Sequence, residues 1–171
     1  AYNEGKQVWA TLMSLAESDF PQEKLQLLSI DDGSKDDTWK WMQEAKKQLG
    51  DRVSICQQPK NMGKRHALYR GFNEGTGAVF VTVDSDSIVK KDTLSNLVSP
   101  FVTNIECGAV ASNIRVLNNQ KALLPKMLDV SFVLSFEFVR SAESSLNSVL
   151  CTPGALAAYR SEAVFACLQQ R

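Results

Sequence analysis

The sequence predicts an α/β fold built on a mostly parallel sheet with helices on both faces, and three observations predict it. Strand-like and helix-like patterns alternate along the whole chain, an order that calls for helical crossovers between parallel strands. Residues 78–87, AVFVTVDSDS, open with a continuous apolar run rather than an alternating one, as in a strand buried on both faces. Three polar loops, residues 1–5, 31–34 and 84–87, fall at expected strand C-termini, the end at which such sheets bind ligands.

Each element follows from its own pattern. Residues 8–16 carry Val8, Trp9, Leu12, Met13, Leu15 and Ala16 at helical spacing, and Asp19-Phe20-Pro21 ends them. Residues 25–30, LQLLSI, read as a strand. Asp36 or Asp37 then caps a helix running to Leu49, with Trp39, Met42, Ala45 and Leu49 on its inner face and Gly50 as its stop. Residues 53–56 are a short strand and Asn61-Met62-Gly63 a turn. Residues 64–73 form a helix with Ala67, Leu68 and Phe72 inward, and Gly75-Thr76-Gly77 leads into the central strand. Asp92 caps a helix through Val102, and residues 107–116 read as another strand. Residues 123–145 are one long helix, 149–159 a strand or loop broken by Gly and Pro, and 161–170 a final helix.

The length of 171 residues fits one domain, and a 44% hydrophobic content is enough for a real core. Nineteen basic residues balance nineteen acidic ones, so no bulk field attracts nucleic acid, and no nucleic-acid partner is expected. Cys56, Cys107, Cys151 and Cys167 form no CxxC pair, and His66 is the only histidine, which argues against zinc. Cys56 and Cys107 fall at strands and read as buried free thiols, hence a reducing compartment. No run of about 18 apolar residues predicts a membrane span, and no secretory signal is visible. The chain opens on Ala1 and a helix, with no strand before it. It therefore reads as a piece of something longer, with a strand expected just before Tyr2. Residues 123–139 are more apolar than a surface helix needs, so they are expected to pack on another part, to drive a homo-oligomer or to lie near a membrane.

The polar loops carry the chemistry. Asp84 and Asp86 stand one residue apart at a strand end, where two hard oxygen donors can hold a divalent cation and, through it, a diphosphate. Asp84 could instead cap a following helix. In Asp31-Asp32-Gly33-Ser34 a carboxylate can accept from the ring N–H of a base, or the loop can be an ordinary turn and cap. Lys64 and Arg65 sit at a helix start, which disfavours cations unless an anion lies before them; the alternative is that both point to solvent. Residues 151–155, CTPGA, are small enough to line a pocket that a sugar approaches, or simply turn the chain. No Walker A loop, GxGxxG after a strand or EF-hand loop is present.

Five motifs occur in one order: AYNEG at Ala1, IDDGSKDDT at Ile30, NMGKRHAL at Asn61, VDSDS at Val83 and CTPGALAAYR at Cys151. Together they resemble the family 2 inverting glycosyltransferases of GT-A fold, and within them the group of hyaluronan synthases, chitin synthases and nodulation N-acetylglucosaminyltransferases. The resemblance covers essentially the whole chain and implies a single GT-A donor-binding domain over residues 1–171, cut at both ends. It implies that Tyr2 and Glu4 contact the uracil and ribose of a UDP-sugar, and that Asp31 and Asp32 lie at the base, one of them accepting from uracil. Lys64 and Arg65 would lie near the diphosphate, and Asp84 and Asp86 would form the DxD motif that binds Mg²⁺ or Mn²⁺. Thr152, Pro153 and Gly154 would lie near donor or acceptor sugar, and the CTPG form favours UDP-GlcNAc.

The resemblance further implies inverting hexosyl transfer to a growing polysaccharide or other glycan acceptor. The family's catalytic carboxylate and its QxxRW motif are expected beyond Arg171, so no catalytic residue is assigned in this chain, and on its own it is expected to transfer little. Its place would be the cytoplasmic face of a membrane, which it would reach only through other parts of the parent protein. Two other readings remain, a non-catalytic binding module of the same fold and a sugar-nucleotide nucleotidyltransferase. The latter calls for a GxGTR-type loop that Tyr2-Asn3-Glu4-Gly5 does not supply.

Overall fold

A computed structural model of the chain describes residues 1–117, 122–146, 149, 151–152 and 154–169. Helix α1 (Gln7–Ala16) buries Val8, Leu12, Leu15 and Ala16 along one stripe. Strand β1 (Leu27–Asp31) pairs in parallel with β2 (Val53–Gln57), Leu27 opposite Val53 and Asp31 opposite Gln57. Helix α2 (Thr38–Leu49) makes the crossover between them, with Met42 and Ala45 fully buried. Gly50, at φ +60°, ends it, a conformation that glycine adopts without steric cost. Helix α3 (Lys64–Glu74) leads to β3 (Val79–Val83), and α4 (Thr93–Thr103) to the short β4 (Ala109–Ala111). Helix α5 (Leu123–Phe132) continues through a π-helical stretch, Val133–Val139, into α6 (Arg140–Ser145). Strand β5 (Leu156–Arg160) and α7 (Ser161–Gln169) complete the order.

Leu27, whose side chain belongs to the α1/α2 cluster, and Ile30, over which α3 lies, are three residues apart and so on opposite faces of β1. A Cβ on Gly71 of α3 would sit 3.4 Å from Ile30 Cδ1. Helices thus cover both faces, as the continuous apolar strands require. A second sheet has the order β3-β5-β4, with β5 antiparallel to both neighbours. Strands β1 and β3 run the same way. At their starts the N–H of Thr76 donates to Gln26 Oε1 at 2.9 Å; past their ends Asp32 holds Gly63, whose neighbour Lys64 reaches Asp84. Four of the five described strands therefore share a direction, and β5 is the exception.

Two expected strands come out shorter, and each has a cause. The guanidinium of Arg115 grips both oxygens of Asp129, at 2.9 and 2.8 Å, and the N–H of Val116 donates to the same carboxylate at 3.1 Å. These bonds draw the chain out of the sheet after Ala111. Ahead of β5, the hydroxyl of Thr152 lies 2.9 Å from that of Tyr159 within the strand, and the strand itself begins only at Leu156. Arg160, the end of the CTPGALAAYR motif, donates to the carbonyls of Phe101, Asn104 and Cys107 at 3.0–3.2 Å. It thereby caps α4 at the end where a cation is favourable.

Three local expectations change. Asp37 precedes α2, but its carboxylate takes the indole N–H of Trp41 at 2.8 Å, while Asp36 Oδ1 accepts from the N–H of Thr38 at 3.0 Å. The long helix of residues 123–145 is interrupted by its π-helical stretch. All four cysteines are free, but Cys56 and Cys107 are only half-buried, and Cys151 and Cys167 are exposed. No helix among the described residues is long and apolar enough to cross a membrane.

Candidate donor-binding site

The loop at residues 31–34 organises the site. Asp31, the last residue of β1, is fully buried; its Oδ1 accepts from the N–H and hydroxyl of Ser34, and its Oδ2 from Gln57 Nε2 at 2.7 Å. Asp32, 3% exposed, accepts from the N–H groups of Met62 and Gly63, each at 2.8 Å. One carboxylate thus holds two successive backbone amides and fixes where α3 begins. Gly33 lies at φ +72°, and a Cβ there would stand 2.5 Å from the backbone of Lys60. Only glycine lets the two loops approach so closely.

The loop at residues 1–5 is bound to the start of α2 by side chains. Thr38 Oγ1, fully buried, accepts from the N–H groups of Glu4 and Gly5, both at 2.9 Å. The N–H of Asn3 donates to Ser34 Oγ at 3.0 Å, and Asn3 Oδ1 accepts from the N–H of Lys35 at 2.9 Å. The Asp84–Ser87 loop is pinned from α1: Thr11 Oγ1 donates to the Ser85 carbonyl at 2.9 Å, and Ser14 Oγ accepts from the N–H of Val89 at 3.2 Å. The N–H of Asp84 donates to the Ala155 carbonyl at 2.8 Å, tying this loop to the turn before β5. Helix α4 does not begin until Thr93, so Asp84 caps no helix.

These supports bring Tyr2, Glu4, Asp32, Lys64, Asp84 and Asp86 to the wall of one cavity. Asp31 faces away from it into its own hydrogen bonds. Arg65 is exposed on α3 outside the cavity. Lys64 Nζ donates to Asp84 Oδ1 at 2.5 Å and to the Gly154 carbonyl at 3.4 Å, so the small turn at 151–155 does reach the same edge. Thr152 is turned toward Tyr159, and Pro153 lies outside the described residues.

The charge balance of the site is negative at its centre. The Glu4 carboxyl is pushed above its ordinary value, first by burial and then by the neighbouring Asp86 carboxylate; the Ala1 ammonium opposes this, and Asp84 and Asp36 add to it. A carboxyl that resists ionising because of its neighbours marks a place where added positive charge is favourable. Hard oxygen donors suit a divalent cation there. Among the described residues no three His, Cys, Asp or Glu side chains stand at metal-binding spacing. Asp84 and Asp86 offer carboxylate oxygens of the kind that hold Mg²⁺ where phosphate oxygens and water complete its shell.

The pattern of the sequence points to the acids and cations but not to Thr38, Thr11 or Ser14, which hold the loops. Thr11 leaves one trace: a hydroxyl on the apolar stripe of α1, between Val8 and Leu12.

The profile of the family described as Glycosyl transferase family 2 matches residues 1–165. An N-acetylglucosaminyltransferase of Rhizobium meliloti (strain 1021) is 32% identical over 94% of this chain and 37% of its own length. A hyaluronan synthase of Streptococcus pyogenes is 28% identical over 99% of this chain and 41% of its own. Among solved structures, the mannosyltransferase PcManGT of Pyrobaculum calidifontis, in complex with GDP-Man and Mn²⁺, superposes with a TM-score of 0.79 at 25% identity, covering 98% of this chain and 44% of that one. The chain thus spans about two fifths of the length of each of these three proteins. The profile takes in every loop of the site, from Tyr2 to Gly154, and on that match the chain belongs to glycosyl transferase family 2.

Proposed function

We propose that this chain binds the donor of an inverting hexosyl transfer, a UDP-sugar with UDP-GlcNAc as the first candidate, together with Mg²⁺ or Mn²⁺, and that the protein passes the sugar to a glycan acceptor. The observation that carries this reading is the meeting of Glu4, Asp32, Lys64, Asp84 and Asp86 on one cavity wall at the C-terminal ends of β1 and β3. The likeness to an N-acetylglucosaminyltransferase supports the choice of sugar, and the Mn²⁺ in the mannosyltransferase complex supports the metal.

Each residue has a part that its surroundings allow. Asp32 keeps lone pairs beyond its two backbone bonds and faces the cavity, so it can accept a ring N–H of the base. Tyr2, 38% exposed at the cavity rim, offers a ring face for that base. Asp84 and Asp86 would hold the cation, which when bound neutralises charge developing on the departing diphosphate. Lys64, on a flexible stem, can exchange Asp84 for a phosphate oxygen, and the N-terminus of α3, oriented by Gly63, presents further N–H groups to the same anion. Arg65 adds positive potential from the outer side. Gly154 leaves room beside Lys64 for the sugar.

Competition among nucleotide sugars tests the donor. With Mn²⁺ present, UDP-GlcNAc is expected to bind at least about tenfold more tightly than GDP-mannose, a difference of about 1.4 kcal/mol. Tighter binding of GDP-mannose would overturn the uridine assignment.

A further inference from the structure

Three consecutive backbone N–H groups tie the loop at residues 1–5 to the side chains of residues 34–38. The N–H of Asn3 donates to Ser34 Oγ at 3.0 Å and that of Glu4 to Thr38 Oγ1 at 2.9 Å. The N–H of Gly5 donates to Thr38 Oγ1 at 2.9 Å and to Asp36 Oδ2 at 3.1 Å. In an extended chain successive N–H groups point to alternate edges, so three in a row cannot serve one neighbour. Turning all three to one side takes left-handed backbone. Asn3 supplies it at φ +55° and Gly5 at φ +54°. Successive N–H groups turned together form a concavity for oxygen atoms, and here Ser34, Asp36 and Thr38 fill it.

Asn3 is the only non-glycine residue at positive φ among the described residues. Most side chains avoid that conformation because Cβ crowds a carbonyl oxygen, and asparagine is one of the few that adopt it. The Asn3 side chain adds a bond of its own, its Oδ1 accepting from the N–H of Lys35 at 2.9 Å. Backbone held in a sparsely populated region collects at functional sites, and here it falls between two residues of the cavity wall. That wall takes in Tyr2 and Glu4 and passes over Asn3 and Gly5. The left-handed residues thus give the loop two sides. Its N–H groups and the Asn3 side chain meet residues 34–38, while Tyr2 and Glu4 meet the cavity.

We propose that Asn3 is a positioning residue for the base end of the donor, a role that rests on the donor-site reading above. It acts through Tyr2 and Glu4, whose direction into the cavity its backbone conformation sets; the Lys35 bond is secondary. The diphosphate end is held by other supports. Thr11 and Ser14 pin the loop of Asp84 and Asp86, and Asp32 fixes the turn before Lys64. Asn3 therefore governs the affinity for base and ribose apart from that for the diphosphate.

The test sets Asn3→Val beside Asn3→Gly. Valine is β-branched and strongly disfavoured in the left-handed region, whereas glycine adopts it freely and lacks only the side-chain bond. Calorimetric titration reads two ligands, UDP and inorganic pyrophosphate, each with Mn²⁺. Asn3→Val is expected to weaken UDP at least about tenfold and pyrophosphate less than about twofold. Asn3→Gly is expected to bring UDP back to within about threefold of the parent. Unchanged UDP affinity in Asn3→Val would overturn the proposal, as would a parallel loss of pyrophosphate, the mark of general disruption. Equal losses in the two variants would overturn the backbone mechanism, because the Lys35 bond would then carry the effect. Hydrogen exchange at Glu4 and Gly5 needs no nucleotide: at least about tenfold faster exchange is expected in Asn3→Val, with Asn3→Gly near the parent. Equal rates in all three would overturn the control of the loop by Asn3. Absence of both UDP and pyrophosphate binding in the parent would refute the donor site, and with it the role toward the nucleotide, while the exchange rates still decide whether Asn3 sets the loop.

Discussion

The carboxylate of Asp32 holds the backbone N–H of Gly63 at 2.8 Å, across 31 residues of sequence. With the matching bond to Met62, it fixes the entry of α3 and so the reach of Lys64. An acid one position past a strand end thus acts on a cation that follows a turn 30 residues later.

Replacing Asp32 with Ala strands two partly buried N–H groups. Each unsatisfied donor costs about 1–3 kcal/mol, so Asp32→Ala is expected to lower stability by about 3 kcal/mol in urea unfolding. Asp32→Asn, which keeps one acceptor oxygen, should fall between it and the parent. A loss under about 1 kcal/mol in Asp32→Ala would show that the clamp is dispensable.

Gly33 and Gly50 separate two costs. Both lie at positive φ, +72° and +60°, but a Cβ on Gly33 would strike the backbone of Lys60 and Asn61, whereas one on Gly50 meets nothing within 4 Å. Gly50→Ala should therefore cost only the conformational strain of φ +60°, ψ −132°, about 1–3 kcal/mol. Gly33→Ala should cost more, since backbone must move, and thermal unfolding of the pair reads the difference. Equal losses would mean that the close approach of the two loops carries no energy.

The placement of the charged residues at element ends was more legible in the sequence than the course of the sheet that bears them. VDSDS, IDDGS and NMGKR put their acids and cations at strand and helix ends, where the structure has them. Residue types with fixed chemistry at element boundaries are local signals, and the helices 7–16, 38–49 and 64–74 likewise follow from local spacing. The antiparallel course of β5 and the early end of β4 are not local. They depend on Arg115 meeting Asp129 and on Arg160 meeting the end of α4, pairings that no spacing encodes. Thr38 is hidden for the same reason, because a threonine at a helix start reads as a cap until the chain that it holds is known.

Glu4 gives the site a pH signature. Its carboxyl is pushed up by burial and by Asp86, so folding is opposed as Glu4 ionises, and its contribution to stability falls as pH rises through the interval just above 4.5. Asp36 has the opposite sign: the Thr38 hydroxyl bond holds it down, and its contribution is lost as pH falls below 3.8. In urea unfolding across pH, Glu4→Gln should remove the first component and leave the second. An unchanged slope above 4.5 would mean that neither burial nor Asp86 raises the Glu4 carboxyl. The same substitution should relieve repulsion between Glu4 and the Asp84–Asp86 loop.

The most direct test of the central claim is calorimetric titration of UDP into the protein with Mn²⁺, repeated in EDTA and with Asp86→Ala. Asp86 is exposed and packs against nothing in the core, so its replacement should leave the free energy of unfolding within about 0.5 kcal/mol of the parent. The account predicts binding with Mn²⁺ that weakens at least about tenfold both in EDTA and in the variant. Binding of equal strength in all three would contradict it, because Asp84 and Asp86 would then hold no metal on the path to the nucleotide.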